Sequence, residues 1–196
     1  MGSPEVRQLE FLSAVFGRVL EEFDPAAVAV LGCATGNGFD RVRPERVKRL
    51  VGLDINQEYL DKCRKRYGRA IPGLELVCAD VATFELEPGS MDLVHAALFF
   101  EYVEPAVVVE KASRWLRPGG ILAAVLQLPS ETHGKVSETR FSSLRALEPV
   151  IHLLEPATLV GLARRRRFSE TRSERVALGS GKEFFVGVYR LETAHE

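Results

Sequence analysis

The sequence predicts an α/β fold, a three-layer sandwich in which a mainly parallel sheet, finished by an antiparallel strand, lies between helices. Three observations predict it. Short continuous apolar runs alternate with segments of helical period, as in Val28–Leu31, Leu50–Leu53 and Ile121–Leu126; strands covered on both faces read this way. A glycine-rich turn, Gly32–Gly38, follows the first run at once. The chain closes on a hairpin pattern, Arg175–Leu178, a turn at Gly179–Lys182, then Phe184–Leu191. Strands alternating with helices imply right-handed crossovers and parallel pairing, and the hairpin adds the antiparallel strand.

The elements follow in order. Ser3 caps and Pro4 opens an amphipathic helix over residues 4 to 23, with Leu9, Leu12, Phe16, Val19, Leu20 and Phe23 at helical spacing. Val28–Leu31 is the first strand, and its glycine turn leads into a helix. Leu50–Leu53 is the second strand, ending at Asp54. Asn56 caps a helix carrying Tyr59, Leu60, Cys63 and Tyr67, stopped by Gly68. Leu74–Cys78 and Met91–His95 are the third and fourth strands. Pro105 opens a helix through Val108, Val109, Ala112, Trp115 and Leu116, and Pro118-Gly119-Gly120 turns the chain into the fifth strand, Ile121–Leu126. A polar stretch from Pro129 to Lys135 reads as a loop, and a further helix begins at Pro156.

Length and composition bound the function. The 196 residues fit one domain, 1–196, with a full hydrophobic core. Hydrophobic residues are 46% and charged residues 27%, with a formal net charge of −1. That balance supplies no basic field to gather nucleic acid or an acidic membrane. The apolar runs are strand-sized, so no membrane span is expected. Cys33, Cys63 and Cys78 form neither a disulfide framework nor a zinc motif, so a reduced, cytoplasmic protein without a metal is expected.

The residues that carry chemistry cluster at strand ends. In Gly32-Cys33-Ala34-Thr35-Gly36-Asn37-Gly38, small side chains let the backbone bend sharply and let a ligand touch it. In open α/β sheets, ligands bind at this carboxyl edge. Asp54 ends the second strand, where a carboxylate accepts both hydroxyls of a ribose. Asp80 follows the third strand, where a carboxylate accepts from an exocyclic amine such as that of adenine. Together these three strand ends form a nucleoside-shaped set.

On these residues the chain resembles the class I S-adenosylmethionine-dependent methyltransferases, over about residues 5 to 192. Gly32, Ala34 and Gly36, with Gly38 beyond, resemble the family's glycine motif. Asp54 falls where the family holds the ribose, with Ile55 beside the adenine, and Asp80-Val81 falls where it contacts the adenine ring and amine. Met91–Val103, which includes Ala97, resembles the motif that closes over the methyl donor. Leu116-Arg117-Pro118-Gly119-Gly120 resembles the turn before the fifth strand. The resemblance implies a Rossmann-like sheet of seven strands in the order 3-2-1-4-5-7-6, S-adenosylmethionine as cofactor, and methyl transfer to an acceptor, a small molecule being expected. Two positions depart from the pattern: Val30 stands where the family usually has an acid, and Ala34 stands for its second glycine.

No fixed catalytic residue is implied, because the sulfonium itself activates the methyl group and alignment does much of the work. His95 and Glu101, flanking the end of the fourth strand, are the candidates for acceptor-side roles, the alternatives being a core histidine and a helix-opening acid. Phe99, Phe100 and Tyr102 are aromatic candidates for the acceptor pocket or for core packing. Residues 129–155, with His133, are a candidate lid over the acceptor, together with the N-terminal helix, 1–24. Arg164–Arg167 reads as the cationic end of a helix rather than a nucleic-acid contact. Two other readings share much of this pattern. A nicotinamide dehydrogenase has a similar loop, but the glycine spacing here does not match Gly-x-Gly-x-x-Gly. A non-catalytic S-adenosylmethionine-binding sensor or partner subunit would carry the same cofactor residues.

Overall fold

The computed structural model describes residues 4–129, 153–179 and 181–193. The sheet has the strand order β3-β2-β1-β4-β5-β7-β6, the order implied by the resemblance. β1 (Ala27–Leu31), β2 (Arg49–Asp54), β3 (Leu74–Cys78), β4 (Met91–Ala97) and β5 (Leu116–Gln127) run parallel. β7 (Glu183–Leu191) lies antiparallel between β5 and β6 (Phe168–Ala177).

The period-2 alternation of strands splits the core in two. On β1, Ala29 and Leu31 face α3 (Pro105–Trp115) and α4 (Pro156–Arg165), packing with Val109, Trp115, Leu159 and Ala163. Val28 and Val30 face the other layer, formed by α1 (Pro4–Phe23) and α2 (Gln57–Tyr67), with Phe16, Val19, Leu60 and Cys63. Both faces of the central strands are dry, which is why they read as unbroken apolar runs. The Asn56 cap forms as expected, whereas Ser3, expected to cap α1, lies outside the described residues. Asn56 Oδ1 accepts from the N–H groups of Glu58 and Tyr59 at 3.0 and 3.2 Å, and Pro105 and Pro156 sit in the first turns of their helices.

Four expectations are corrected. The turn after β1 leads not into an α-helix but into a three-residue 3₁₀ turn, Phe39–Arg41; Pro44 follows closely, and a proline ring excludes helix in the residues just before it. β5 begins at Leu116 rather than Ile121. Leu116 pairs with Met91 and Ile121 with Leu93, so Arg117–Gly120 bulge out of one continuous strand. β6 begins at Phe168, well before Arg175; as an edge strand it carries a polar sequence, and its pairing to β7 supplies what its pattern lacks. Leu9 is 50% exposed, outside the buried stripe of Leu12, Phe16, Val19 and Leu20. Of the candidate lid, residues 130–152, His133 among them, lie outside the described residues.

Candidate functional site

The glycine turn coils at the carboxyl edge of β1. Gly32, Gly36 and Gly38 have φ of 63°, 83° and 84°, the left-handed region that glycine enters without cost. A side chain at Gly36 would also meet Cys63 Sγ and Tyr67 Cε2, each at 2.8 Å, so the turn packs directly on α2. Ala34 adopts φ 47° as well, a conformation that costs an L-residue about 1 kcal/mol. Cys33 is buried behind the turn, and burial pushes its thiol pKa well up, leaving an inert filler. Thr35 is half-buried.

Asp54 ties this turn to β2. Its Oδ2 accepts from Ala34 N at 2.8 Å and its Oδ1 from Asn56 N at 2.9 Å. Each carboxylate oxygen has a second lone pair, so the carboxylate orients the loop and keeps capacity for a ligand's hydroxyls. Val30 is 7% exposed within the apolar core, and the loop N–H of Ala34 is taken by Asp54 from the next strand. Ile55 is 77% exposed at the end of β2. Asp80 is exposed after β3, its Oδ1 accepting from Ala82 N at 2.8 Å. Val81 is buried at 3% with its side chain in the core, so a ligand reaches it only at the main chain.

Beyond β4 the backbone is strained. Ala97 is half-buried at the strand end. Leu98 has φ 52°, an outlier for a bulky residue, and such strain of about 1–3 kcal/mol concentrates at functional sites. Its N–H bonds Val125 O at 2.8 Å, and the turn lays the Phe99 ring over Gly32, where a Cβ would lie only 2.7 Å from Phe99 Cδ2. Phe100 is buried in the core, and Tyr102 is 40% exposed. Glu101 is not part of a helix, since α3 starts at Pro105 with Glu104 as its cap. Only 4% of Glu101 is exposed. Its Oε1 accepts from Gln127 N at 3.0 Å, and its Oε2 has no hydrogen-bond partner among the described residues. Burial raises its pKa, opposed by the backbone N–H groups of Gln127 and of Glu101 itself.

His95 sits elsewhere. It is 4% exposed, paired in register with Val30 and Ala123, and its ring lies 4.8 Å from that of Phe16. It belongs to the layer under α1, and burial pushes its pKa down to about 4.

A polar chain that sequence reasoning missed completes the edge. Lys182, 8% exposed, donates to Gln8 Oε1 at 3.0 Å and to Gln127 Oε1 at 3.5 Å. Gln127 ends β5, so Gln8, Lys182, Gln127 and Glu101 form a line from α1 to the end of β4. In the sequence, Lys182 passes as a turn residue and Gln127 as the end of an apolar run; a polar residue closing such a run at a carboxyl edge is the signal that was available. Among the described residues the exposed large apolar side chains are Val6, Leu9, Ile55 and Tyr102. All four lie at this edge, because Leu9 O holds the loop residue Asn37 (Nδ2 to O 3.0 Å) and Gln8 holds Lys182.

The arginine run ends α4 at the opposite edge. Arg166 pairs with Glu110 at 2.6 Å and Arg167 Nη2 donates to Glu192 O at 2.9 Å, the arrangement of a cationic helix end. Among the described residues no group of His, Cys, Asp or Glu is placed to hold a metal, and no helix is long and apolar enough to cross a membrane.

Comparison with known proteins bears on family and fold. Residues 29–124, from β1 into β5, match the family model described as a methyltransferase domain. An uncharacterised methyltransferase of Mycobacterium tuberculosis (strain ATCC 25618 / H37Rv) is 33% identical over 142 residues, 69% of this chain and 56% of the relative. Trans-aconitate 2-methyltransferase of Methylobacterium nodulans is 34% identical over 109 residues, 54% of this chain and 39% of the relative. The chain thus spans only part of the curated relatives it matches, 27% of one and 56% of another. In fold it is similar to the N-methyltransferase NodS of Bradyrhizobium japonicum WM9 in complex with S-adenosyl-L-homocysteine. The TM-score is 0.72 at 16% identity, covering 94% of this chain and 87% of that one.

Proposed function

The chain belongs to the class I, Rossmann-like S-adenosylmethionine-dependent methyltransferases, and from that premise we propose that it binds S-adenosylmethionine at the carboxyl ends of β1 to β4 and catalyses methyl transfer to a small-molecule acceptor. The observation that carries the reading is the meeting, at one edge, of the strained glycine turn, the Asp54 carboxylate that holds it, and the Ile55 side chain left 77% exposed.

The residues present fit the cofactor. Gly32 is exposed, its main chain accessible to a ligand, while the Phe99 ring fills the space that a side chain would take. Gly32, Cys33, Ala34, Thr35, Gly36 and Gly38 supply the turn whose main chain passes along the methionine part. Asp54 takes the ribose hydroxyls on its remaining lone pairs, Ile55 offers an apolar face to adenine, and Asp80 with the main chain of Val81 meets the adenine edge. Ala97 and the Leu98–Phe99 turn close the donor side. The bound cofactor supplies an activated methyl group on a sulfonium sulfur; the chain supplies alignment and exclusion of water. His95, in the core beneath α1, takes no part. Glu101 and Tyr102 stand on the acceptor side. The free cysteines suit a reducing compartment, and we place the protein in the cytoplasm.

Asp54→Ala tests the assignment. Loss of the ribose bonds and of the loop tether lowers S-adenosylmethionine affinity by about 1–3 kcal/mol, roughly five- to 150-fold. Titration of the variant at unchanged melting temperature measures it, and wild-type affinity would refute the role of Asp54.

A further inference from the structure

We propose that the acceptor is an amine, whose nitrogen meets the buried, unpartnered oxygen of Glu101, and that Glu101 is the base that takes its proton. This rests on the methyltransferase reading above and adds the acceptor class to it.

Glu101 has an unmet hydrogen bond. Glu101 is buried, and one of its oxygens is committed to Gln127 N at 3.0 Å while Oε2 has no partner among the described residues. A buried carboxylate oxygen without a donor costs about 1–3 kcal/mol or more. No cation within ion-pair distance offsets it among the described residues. Among the described residues His95 Nδ1 and Tyr189 OH share this state, but neither is a carboxylate; the buried cation Lys111, by contrast, has both Glu85 Oε1 at 2.6 Å and Phe84 O at 2.8 Å. Glu101 is also held in place at a cost, since it follows the strained Leu98 turn whose next residue, Phe99, lies on Gly32. The same short segment therefore touches the glycine turn at one end and carries the buried, unpartnered oxygen three residues on from Leu98. Tethered to the end of β5 through Gln127, the carboxylate lies between the methyl-donor loop and the polar chain of Gln127 and Lys182.

The missing element is a hydrogen-bond donor, so the occupant that completes the site brings one. An acceptor carboxylate would instead set a second negative charge beside Glu101 in a water-poor place, where like charges repel strongly. A neutral amine donates N–H to Oε2 and keeps its lone pair for the methyl carbon. In the step, the nitrogen lone pair forms the new N–C bond while the S–C bond breaks and its electron pair stays on sulfur, leaving a neutral thioether. The positive charge moves to nitrogen, next to the carboxylate, and the N–H proton passes to Glu101 Oε2. Charge developing beside a fixed opposite charge is the arrangement that lowers a barrier rather than tightening ground-state binding. The half-exposed Tyr102 and Phe99 rings supply an apolar wall for the rest of the molecule.

The test uses matched probes: benzylamine, benzyl alcohol and benzoate, and butylamine, butanol and butyrate. Each is titrated calorimetrically into the protein saturated with S-adenosylhomocysteine, and each is assayed for S-adenosylhomocysteine release from S-adenosylmethionine. The amines bind and turn over and the alcohols and acids do not. Glu101→Gln keeps the Gln127 bond and the side-chain shape, binds S-adenosylhomocysteine as the wild type does, and loses amine kcat by about 100-fold or more, the usual weight of a general base. Glu101→Asp restores part of it. Binding or turnover of the acids or alcohols in preference to the amines overturns the proposal. So does a wild type that binds S-adenosylhomocysteine but no amine, or a Glu101→Gln variant with amine kcat within threefold of wild type. A protein that does not bind S-adenosylhomocysteine brings down the underlying cofactor reading instead.

Discussion

His95 illustrates how one residue's surroundings decide its role. Its neighbours along the sheet are Val30 and Ala123, and the ring of Phe16 covers it. Desolvation alone holds its pKa at about 4, against an ordinary value near 6.5. Between those values the unfolded chain binds a proton that the folded chain refuses. Stability is therefore full above about pH 6.5, falls as pH drops towards about 4, and levels below it. Urea unfolding at pH 7 and pH 4.5 measures this: the wild type loses about 2 kcal/mol more than His95→Leu over that interval. Parallel losses in the two proteins would show that His95 is not the buried neutral group described. Glu101 and His95 flank the same strand, and both are buried. Each keeps one buried polar atom without a partner among the described residues, and they differ in what they face: His95 meets an apolar ring, whereas Glu101 joins a polar chain. Residue type and spacing alone do not separate those cases, because both depend on which side of β4 each residue leaves and on partners from α1, β5 and the β7 turn.

Among the elements, α4 ends in a way that invites a direct test. Arg167 takes φ 64° at the position just past the helix, where glycine is the usual residue. The bonds Arg167 N to Arg164 O at 3.1 Å and Glu192 N to Arg167 O at 2.9 Å fix that turn through the main chain. The side chain adds only an exposed contact to Glu192 O. Arg167→Gly therefore relieves about 1 kcal/mol of left-handed strain and raises the melting temperature by about 2–4 °C; a fall would mean that the arginine contact outweighs the strain. Which elements were legible follows from what drives them. β1, β2 and β4 bury both faces and read as apolar runs, and α2 announces itself through Asn56 and Gly68. β6 is hidden because an edge strand needs no apolar pattern. The bulge inside β5 is hidden because Pro118-Gly119-Gly120 reads as a turn, while pairing of Leu116 with Met91 keeps the chain in the sheet. The helix expected after the glycine turn is absent for a local reason, Pro44, so the loop presents its own N–H groups and not a helix dipole.

On the scale of the whole molecule, the two edges of the sheet differ in chemistry. At the amino edge, charges are paired: Asp92 accepts from Ala26 N and Ala27 N at 2.7 and 2.9 Å and meets Arg117, and Arg190 donates to Gly119 O. At the carboxyl edge lie two of the four non-glycine residues with positive φ among the described residues, Ala34 and Leu98, together with the unpartnered Glu101 oxygen and the exposed apolar side chains. The other two, Asp24 and Arg167, lie at the amino edge, so the carboxyl edge is set apart not by strain but by the unpartnered Glu101 oxygen together with the exposed apolar side chains. Gly32, Asp54 and Asp80 were legible because each stands at a strand end in the chain itself; the Gln8–Lys182–Gln127–Glu101 line was not, because it is assembled from four separate elements. The central claim is that this edge holds S-adenosylmethionine, and calorimetric titration of the wild-type protein with S-adenosylmethionine, S-adenosylhomocysteine and NAD tests it most directly. Saturable one-site binding of the two sulfur nucleosides with none of NAD is the predicted result; absence of binding by both sulfur nucleosides would contradict it.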